Sequence, residues 1–190
     1  MRVSLAFPTH SFLVSYLQNR SQAKFSYPEI GATKGDFPKG YNHDRYQFLI
    51  GSQPSDFHKA KNALVNWAQF KNGWVEIFPQ QPGIQVGREV LVFFKLFGLW
   101  WKNSCRIVYL VDQPDLFGFA YGTLSDHVEK GEEFFGVTID KDHQVYFVLK
   151  AFSKPNYWLA KICLPLTRKF QRRFARDAGN SMRKWLEEHR

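Results

Sequence analysis

A chain of 190 residues with 44% hydrophobic and 17% aromatic residues has enough apolar surface to build one thick core without disulfide or metal staples. Its net charge is +9, and its two cysteines, Cys105 and Cys163, lack metal-ligand spacing and read as buried free thiols of a reducing compartment. The most apolar run, Val90 to Trp101, is broken by Lys95 and is shorter than the roughly 20 residues of a membrane span, and Pro8 to Ser11 interrupt any secretory pattern, so a cytoplasmic protein without a spanning segment is expected.

Phe12, Leu13, Tyr16 and Leu17 recur at helical spacing and predict a short amphipathic helix over His10–Arg20. Residues 25–40 carry Pro28, Gly31, Gly35, Pro38 and Gly40 and read as irregular chain wrapping the domain. A first strand follows over Asp44–Ile50. Pro54 suits the opening turn of a helix, in which Phe57, Ala60, Leu64 and Trp67 share a face up to about Ala68. The period then changes to that of strands, placed near Trp74–Phe78, Arg88–Leu96, Asn103–Val111, Phe117–Leu124, Glu132–Ile139 and Val145–Phe152. Polar, Gly- and Pro-containing turns separate most of them. Short links imply an antiparallel meander.

The last segment carries Leu159, Ile162, Cys163, Leu166, Phe170, Phe174, Met182 and Leu186 on one helical stripe, with Pro165 marking a kink or a fresh start. Residues 154–190 hold 10 basic and 3 acidic side chains, so +7 of the +9 belongs to this segment. Arg168, Lys169, Arg172, Arg173 and Arg176 form either a solvated helix face or a surface for an anionic membrane. No nucleic-acid motif is present, so no specific nucleic acid is expected as a partner. The order strand, helix, six strands, long helix points to an α+β fold, with a curved antiparallel sheet of about seven strands around the C-terminal helix. Residues 1–40 would be an extension and residues 41–190 the helix-grip domain.

Several stretches resemble one family. They are Phe25-Ser26-Tyr27-Pro28-Glu29-Ile30-Gly31-Ala32-Thr33, Gly73-Trp74-Val75-Glu76 and Asn103-Ser104-Cys105-Arg106-Ile107-Val108-Tyr109. The most specific is Phe117-Gly118-Phe119-Ala120-Tyr121-Gly122-Thr123-Leu124 with His127 and Gly131-Glu132-Glu133, and Ala151-Phe152-Ser153-Lys154-Pro155 leads on to Gln171-Arg172-Arg173-Phe174. In this order they resemble the DUF1990 (UPF0548) family, itself similar at a distance to the START and Bet v 1-like superfamily. The resemblance implies a helix-grip fold with a cavity between sheet and helix, and a small hydrophobic or lipid-like ligand. It brings no catalytic residue.

Four constellations could carry chemistry. Alternation along Phe117–Leu124 puts Phe117, Phe119, Tyr121 and Thr123 on one face and Gly118, Ala120, Gly122 and Leu124 on the other. The bare face either lets the C-terminal helix approach closely or leaves room for a ligand. His127, Glu132 and Glu133 are the candidate acid–base groups, in what is otherwise a polar hairpin; Arg106 is the expected partner of Glu132 if that carboxylate points inward. Tyr41 to Tyr46 is rich in hydrogen-bonding groups that could orient a ligand or pin the N-terminal segment. Phe93, Phe94, Phe97, Trp100 and Trp101 read as core and sheet packing, or as a hydrophobic gate or membrane-touching hairpin. The ligand side is therefore assigned Tyr46, Arg106, Gly118, Phe119, Tyr121 and Gly122. Neither a metal nor a cofactor is expected. Three functions remain open: a ligand-binding protein, an enzyme on a hydrophobic substrate, and an adaptor on anionic membrane.

Overall fold

The computed structural model describes residues 3–19, 23–156 and 164–189. In chain order the elements are β1 (Val3–Ser4), α1 (His10–Gln18), β2 (Asn42–Gly51), α2 (Pro54–Val65), β3 (Val75–Phe78), β4 (Glu89–Leu96), β5 (Leu99–Asp112), β6 (Leu116–Thr123), β7 (Glu129–Ile139), β8 (Val145–Pro155) and α3 (Leu164–Glu188). The strands form one antiparallel sheet in the order β2-β8-β7-β6-β5-β4-β3, and the two-residue β1 pairs with β5 beside Trp100 and Trp101. The sheet has eight strands where seven were expected, because β1 is too short to show a period. It covers the edge of β5 beyond the end of β6, where unpaired backbone would otherwise face outward.

The longer α3 lies against one face of the sheet beside α2, in the helix-grip arrangement. Phe174, Ala178, Met182 and Leu186 recur at helical spacing on its buried side. Pro165 falls in the first turn of the described helix, a position that tolerates its missing N–H. The expected positions Leu159, Ile162 and Cys163 lie outside the described residues. Between helices and sheet the centre is filled by rings. Phe135 sits 5.5 Å from both Phe70 and Phe119, and Trp67 lies 5.4 Å from Phe119. Cys105 is fully buried in the same core, and burial pushes its thiol up.

Both faces of the sheet are covered, which the sequence pattern did not resolve. On the convex face α1 buries Leu13 against Leu91 and Phe93. Residues 25–34 lie over β6 and β7, starting from a bridge between Phe25 and Leu124. The bare face of β6 belongs to this convex side. A β-carbon at Gly122 would collide with the Tyr27 hydroxyl and come within 2.9 Å of Phe25 Cε1. One at Gly118 would stand 2.5 Å from Phe134 Cζ and from the Phe135 carbonyl. Close approach is thus the reason for these glycines, but the N-terminal segment and Phe134 make it, not α3. Phe117, Phe119 and Tyr121, the bulky side, face α2 and the Trp67–Phe70 turn that follows it.

Candidate functional site

The interior becomes polar where α3 begins. β2 contributes Asp44 and Tyr46, two residues apart and therefore on one face. β7 contributes Glu129 and Glu133 on the same parity as the core residues Phe135 and Val137. The guanidinium of Arg168 grips Asp44 with two hydrogen bonds of 2.5 and 2.7 Å and donates a third, 2.8 Å, to Gln171 Oε1. Gln171 Nε2 donates to Glu129 Oε2 at 2.8 Å and Ser153 Oγ at 3.1 Å. Tyr46 Oη donates to Asp44 at 3.1 Å, and Tyr121 Oη donates to Glu133 Oε2 at 2.7 Å. One network therefore joins β2, β7, β8 and α3, and the Tyr121–Glu133 pair lies beside it on β6 and β7.

Its carboxyls are not equivalent. Asp44 is neutralised by Arg168, whose own pKa is raised by that hydrogen-bonded pairing. Glu129 is pushed up to about 7 by burial, against the opposing pull of the Gln171 hydrogen bond and the Arg168 charge. Glu133 is pushed up to about 8 by burial, with only the Tyr121 hydrogen bond opposing it. Burial also raises the Tyr121 and Tyr46 phenols. At neutral pH the site can therefore hold protonated and ionised carboxyls side by side, the condition for exchanging protons or matching a polar head group. Among the described residues, no group of three or more His, Cys, Asp or Glu converges to hold a metal ion.

The three acid–base candidates do not converge. Glu132, next to Glu133, points to the opposite face. There it accepts hydrogen bonds from Tyr27 Oη at 2.7 Å, the Gly31 amide at 2.7 Å, the Thr33 amide at 3.0 Å and the Thr33 hydroxyl. It is 2% exposed and clamps the N-terminal segment to the sheet. His127 sits in the β6–β7 loop, where its Nδ1 accepts from the Glu129 amide at 2.9 Å. Arg106 does not meet Glu132 but pairs with Glu89 at 2.5 Å, since β4 and β5 place those two residues directly opposite. Its guanidinium lies 5.5 Å from the Phe25 ring centre, so Arg106, Gly118 and Gly122 leave the ligand side and join the covered convex face. Tyr46, Phe119 and Tyr121 remain on the helix side, although Phe119 is fully buried among other rings. Of the basic helix residues, Arg168 turns inward to Asp44, whereas Lys169, Arg172, Arg173 and Arg176 are exposed. Tyr41 of the N-terminal constellation donates to Glu29 at 2.6 Å and His43 meets the Pro38 carbonyl at 2.9 Å, so these two pin the extension.

Sequence reasoning did not assign Asp44, Glu129, Arg168 and Gln171 to one site. The parity of Glu129 and Glu133 with Phe135 and Val137 was a usable signal, but β7 also carries Phe134 on the other parity and so looks apolar on both faces. A cavity of about 140 Å³ lies away from this network, lined by Trp67, Phe70, Lys71, Glu76, Ile77 and Gln80 among others. It is smaller than the roughly 300 Å³ at which ordinary ligand pockets begin.

The model of a family described as a domain of unknown function (DUF1990) matches residues 26–181. The chain belongs to that family. A Dictyostelium discoideum UPF0548 protein is 35% identical over 93% of this chain and 92% of its own length. The Arabidopsis thaliana UPF0548 protein At2g17695 is 30% identical over 75% of this chain and 71% of its own. A UPF0548 protein of Deinococcus radiodurans is 30% identical over 89% and 91%. Among solved structures, Helicobacter pylori protein jhp0584 superimposes with a TM-score of 0.56 at 10% identity, covering 86% of this chain and 96% of that one. Nitrosomonas europaea protein NE0264 gives 0.50 at 9% identity, covering 77% and 95%. At such identities the likeness concerns the fold alone. The DUF1990 match spans the clamp made by Glu132, the β6 glycines and both raised carboxyls, so the N-terminal segment from Ser26 onward falls within the matched region.

Proposed function

We propose that this chain binds a small amphipathic molecule at the polar end of the sheet–helix interior. Its head group would meet Glu129, Glu133 and Tyr121, and its apolar part the adjoining aromatic wall. The observation that carries this reading is the pair of raised carboxyls on the helix-facing side of β7, at about 7 and about 8, beside the Asp44–Arg168 pair and against an apolar core. Ionisable groups held so far from their ordinary values are concentrated at functional sites. The rings that fill the centre favour a compact ligand over a long acyl chain. Native mass spectrometry of the purified full-length chain tests this. A bound small molecule should be present on the wild type, released by organic extraction, and lost from a Glu129→Gln/Glu133→Gln variant that remains folded. A wild type carrying no small molecule, and showing no thermal shift with small amines, alcohols or sterol-like probes, would refute it.

A second reading, an acid–base enzyme acting on that molecule, is favoured by the same two values lying near neutrality. Its residues would be Glu133 and Tyr121 in place of His127 and Glu132. Turnover of the extracted molecule, with a pH profile shifted by Glu133→Gln, distinguishes catalysis from binding.

A further inference from the structure

The β4–β5 connection breaks a local rule. Leu96 and Leu99 pair across the hairpin, leaving Phe97 and Gly98 as a two-residue turn with φ of +55° and +76°. Two central residues with positive φ belong to the mirror-image turn that favours Asn-Gly, and a bulky side chain at its first position is conformationally costly. Nor does burial offset that cost: Phe97 is 74% exposed, with its ring edge-on to Phe170 at 6.1 Å between ring centres. Local structure and core packing both argue against phenylalanine here, so its ring is best explained by something outside the chain.

The surroundings say what that is. Leu166, 40% exposed, lies one helical turn before Phe170. Arg173, Lys169 and Arg176 continue around the outer surface of α3 at spacings of three and four residues, which are neighbours on a helix. Lys169 and Arg172 are exposed and make no ion pair among the described residues, whereas Arg173, over the Trp74 ring at 4.5 Å, is paired with Asp177 at 3.3 Å. Lys95 is exposed on the hairpin itself, 5.6 Å from the Trp100 ring centre. Neither residues 90–106 nor residues 164–176 contain a single Asp or Glu. The surface is thus an apolar tip bordered by cations, with Asp177, the partner of Arg173 and Arg176, as the first acidic residue along α3. Among the described residues no helix is long and apolar enough to cross a membrane, so contact would be at a bilayer surface.

We propose that the β4–β5 tip and the outer face of the first half of α3 dock on an anionic lipid bilayer, with Phe97 as the inserted anchor and Lys95, Lys169 and Arg172 holding the lipid phosphates and carboxylates. A ring seated among acyl chains and cations at headgroup level is the arrangement of interfacial binding. A nucleic acid would use the same cations, but a single aromatic tip gives it no stacking platform.

Co-sedimentation of the full chain with phosphatidylcholine vesicles, with and without phosphatidylserine, tests this. Binding should require phosphatidylserine and weaken with salt. Phe97→Asn should lose binding about tenfold while keeping or raising the melting temperature, because asparagine accepts the left-handed turn position that phenylalanine resists. Phe97→Trp should retain it. Lys169→Glu/Arg172→Glu should lose at least about fivefold per charge. Tryptophan emission should shift to the blue on binding, from Trp100 and Trp101 near the tip. The proposal is overturned if wild type ignores phosphatidylserine vesicles, if Phe97→Asn binds like wild type, or if single-stranded RNA binds while vesicles do not.

Discussion

Glu133→Gln probes the energetics of the polar site. The carboxyl of Glu133 stands at about 8 in the folded chain against an ordinary 4.5. Each step of one pH unit is worth about 1.4 kcal/mol, so the full displacement corresponds to roughly 5 kcal/mol. Partial exposure of the side chain to solvent screens it, and about 2–4 kcal/mol is expected. A folded-state value raised above the unfolded one means that the native chain holds more protons. The stabilising contribution is therefore complete below about pH 4.5 and is lost as pH rises through about 8. Glutamine has nearly the same shape and keeps a carbonyl oxygen for the Tyr121 hydroxyl, but it never ionises. The variant should match wild type near pH 5 and exceed it by about 2–4 kcal/mol near pH 8.5, with a flatter dependence between. Urea unfolding at a series of pH values measures this. A stability difference independent of pH, or a variant less stable than wild type at pH 8.5, would refute the claim that burial of Glu133 dominates.

Glu132→Ala should have the opposite character. It strands the Gly31 and Thr33 amides and the Tyr27 hydroxyl under the N-terminal segment, costing about 3 kcal/mol or more and opening residues 25–34 to proteolysis, as read by denaturation and limited trypsin digestion. Gly122→Ala should push Tyr27 off the sheet through its new β-carbon and lose about 1–3 kcal/mol in thermal unfolding, whereas Tyr27→Phe alone should cost about 1 kcal/mol. Arg168→Ala leaves Asp44, 7% exposed, without its guanidinium; a loss of about 2–4 kcal/mol is expected at pH 7, shrinking when Asp44→Asn is added, as a double-mutant cycle measures.

The two glutamates adjacent on β7 show where sequence reasoning stopped. Their neighbourhood was recognisable, and alternation guarantees that Glu132 and Glu133 point to opposite faces. Which face each takes depends on what covers the sheet. Phe134 and Phe135 make both parities look like core, because Phe134 packs with Tyr109 and Ala120 on one face and Phe135 with Phe70 and Phe174 on the other. Arg106 was paired with the wrong carboxylate for a related reason. Its partner Glu89 is set by the register of β4 against β5, and the hairpin turn that fixes that register was invisible because Phe97 is not a turn residue.

What the amino-acid sequence determined was the set of elements and their class. Periods of two and of about four, interrupted by Pro, Gly and Asp, placed α2, the C-terminal helix and seven of the strands within a few residues, and short links made the sheet antiparallel. It also placed most of the net positive charge in residues 154–190. Only the tertiary structure decided which side of β6 meets the helical layer, since the bare and bulky faces are equally legible but their covers come from residues 25–34 and from α2 with the Trp67–Phe70 turn, far away along the chain. It alone separated Arg168, turned inward by Asp44, from the exposed cations beside it, because charge and spacing are the same for both and burial is not. A local pattern specifies a face and its period. The partner of that face is a long-range contact, and there the candidate site was decided.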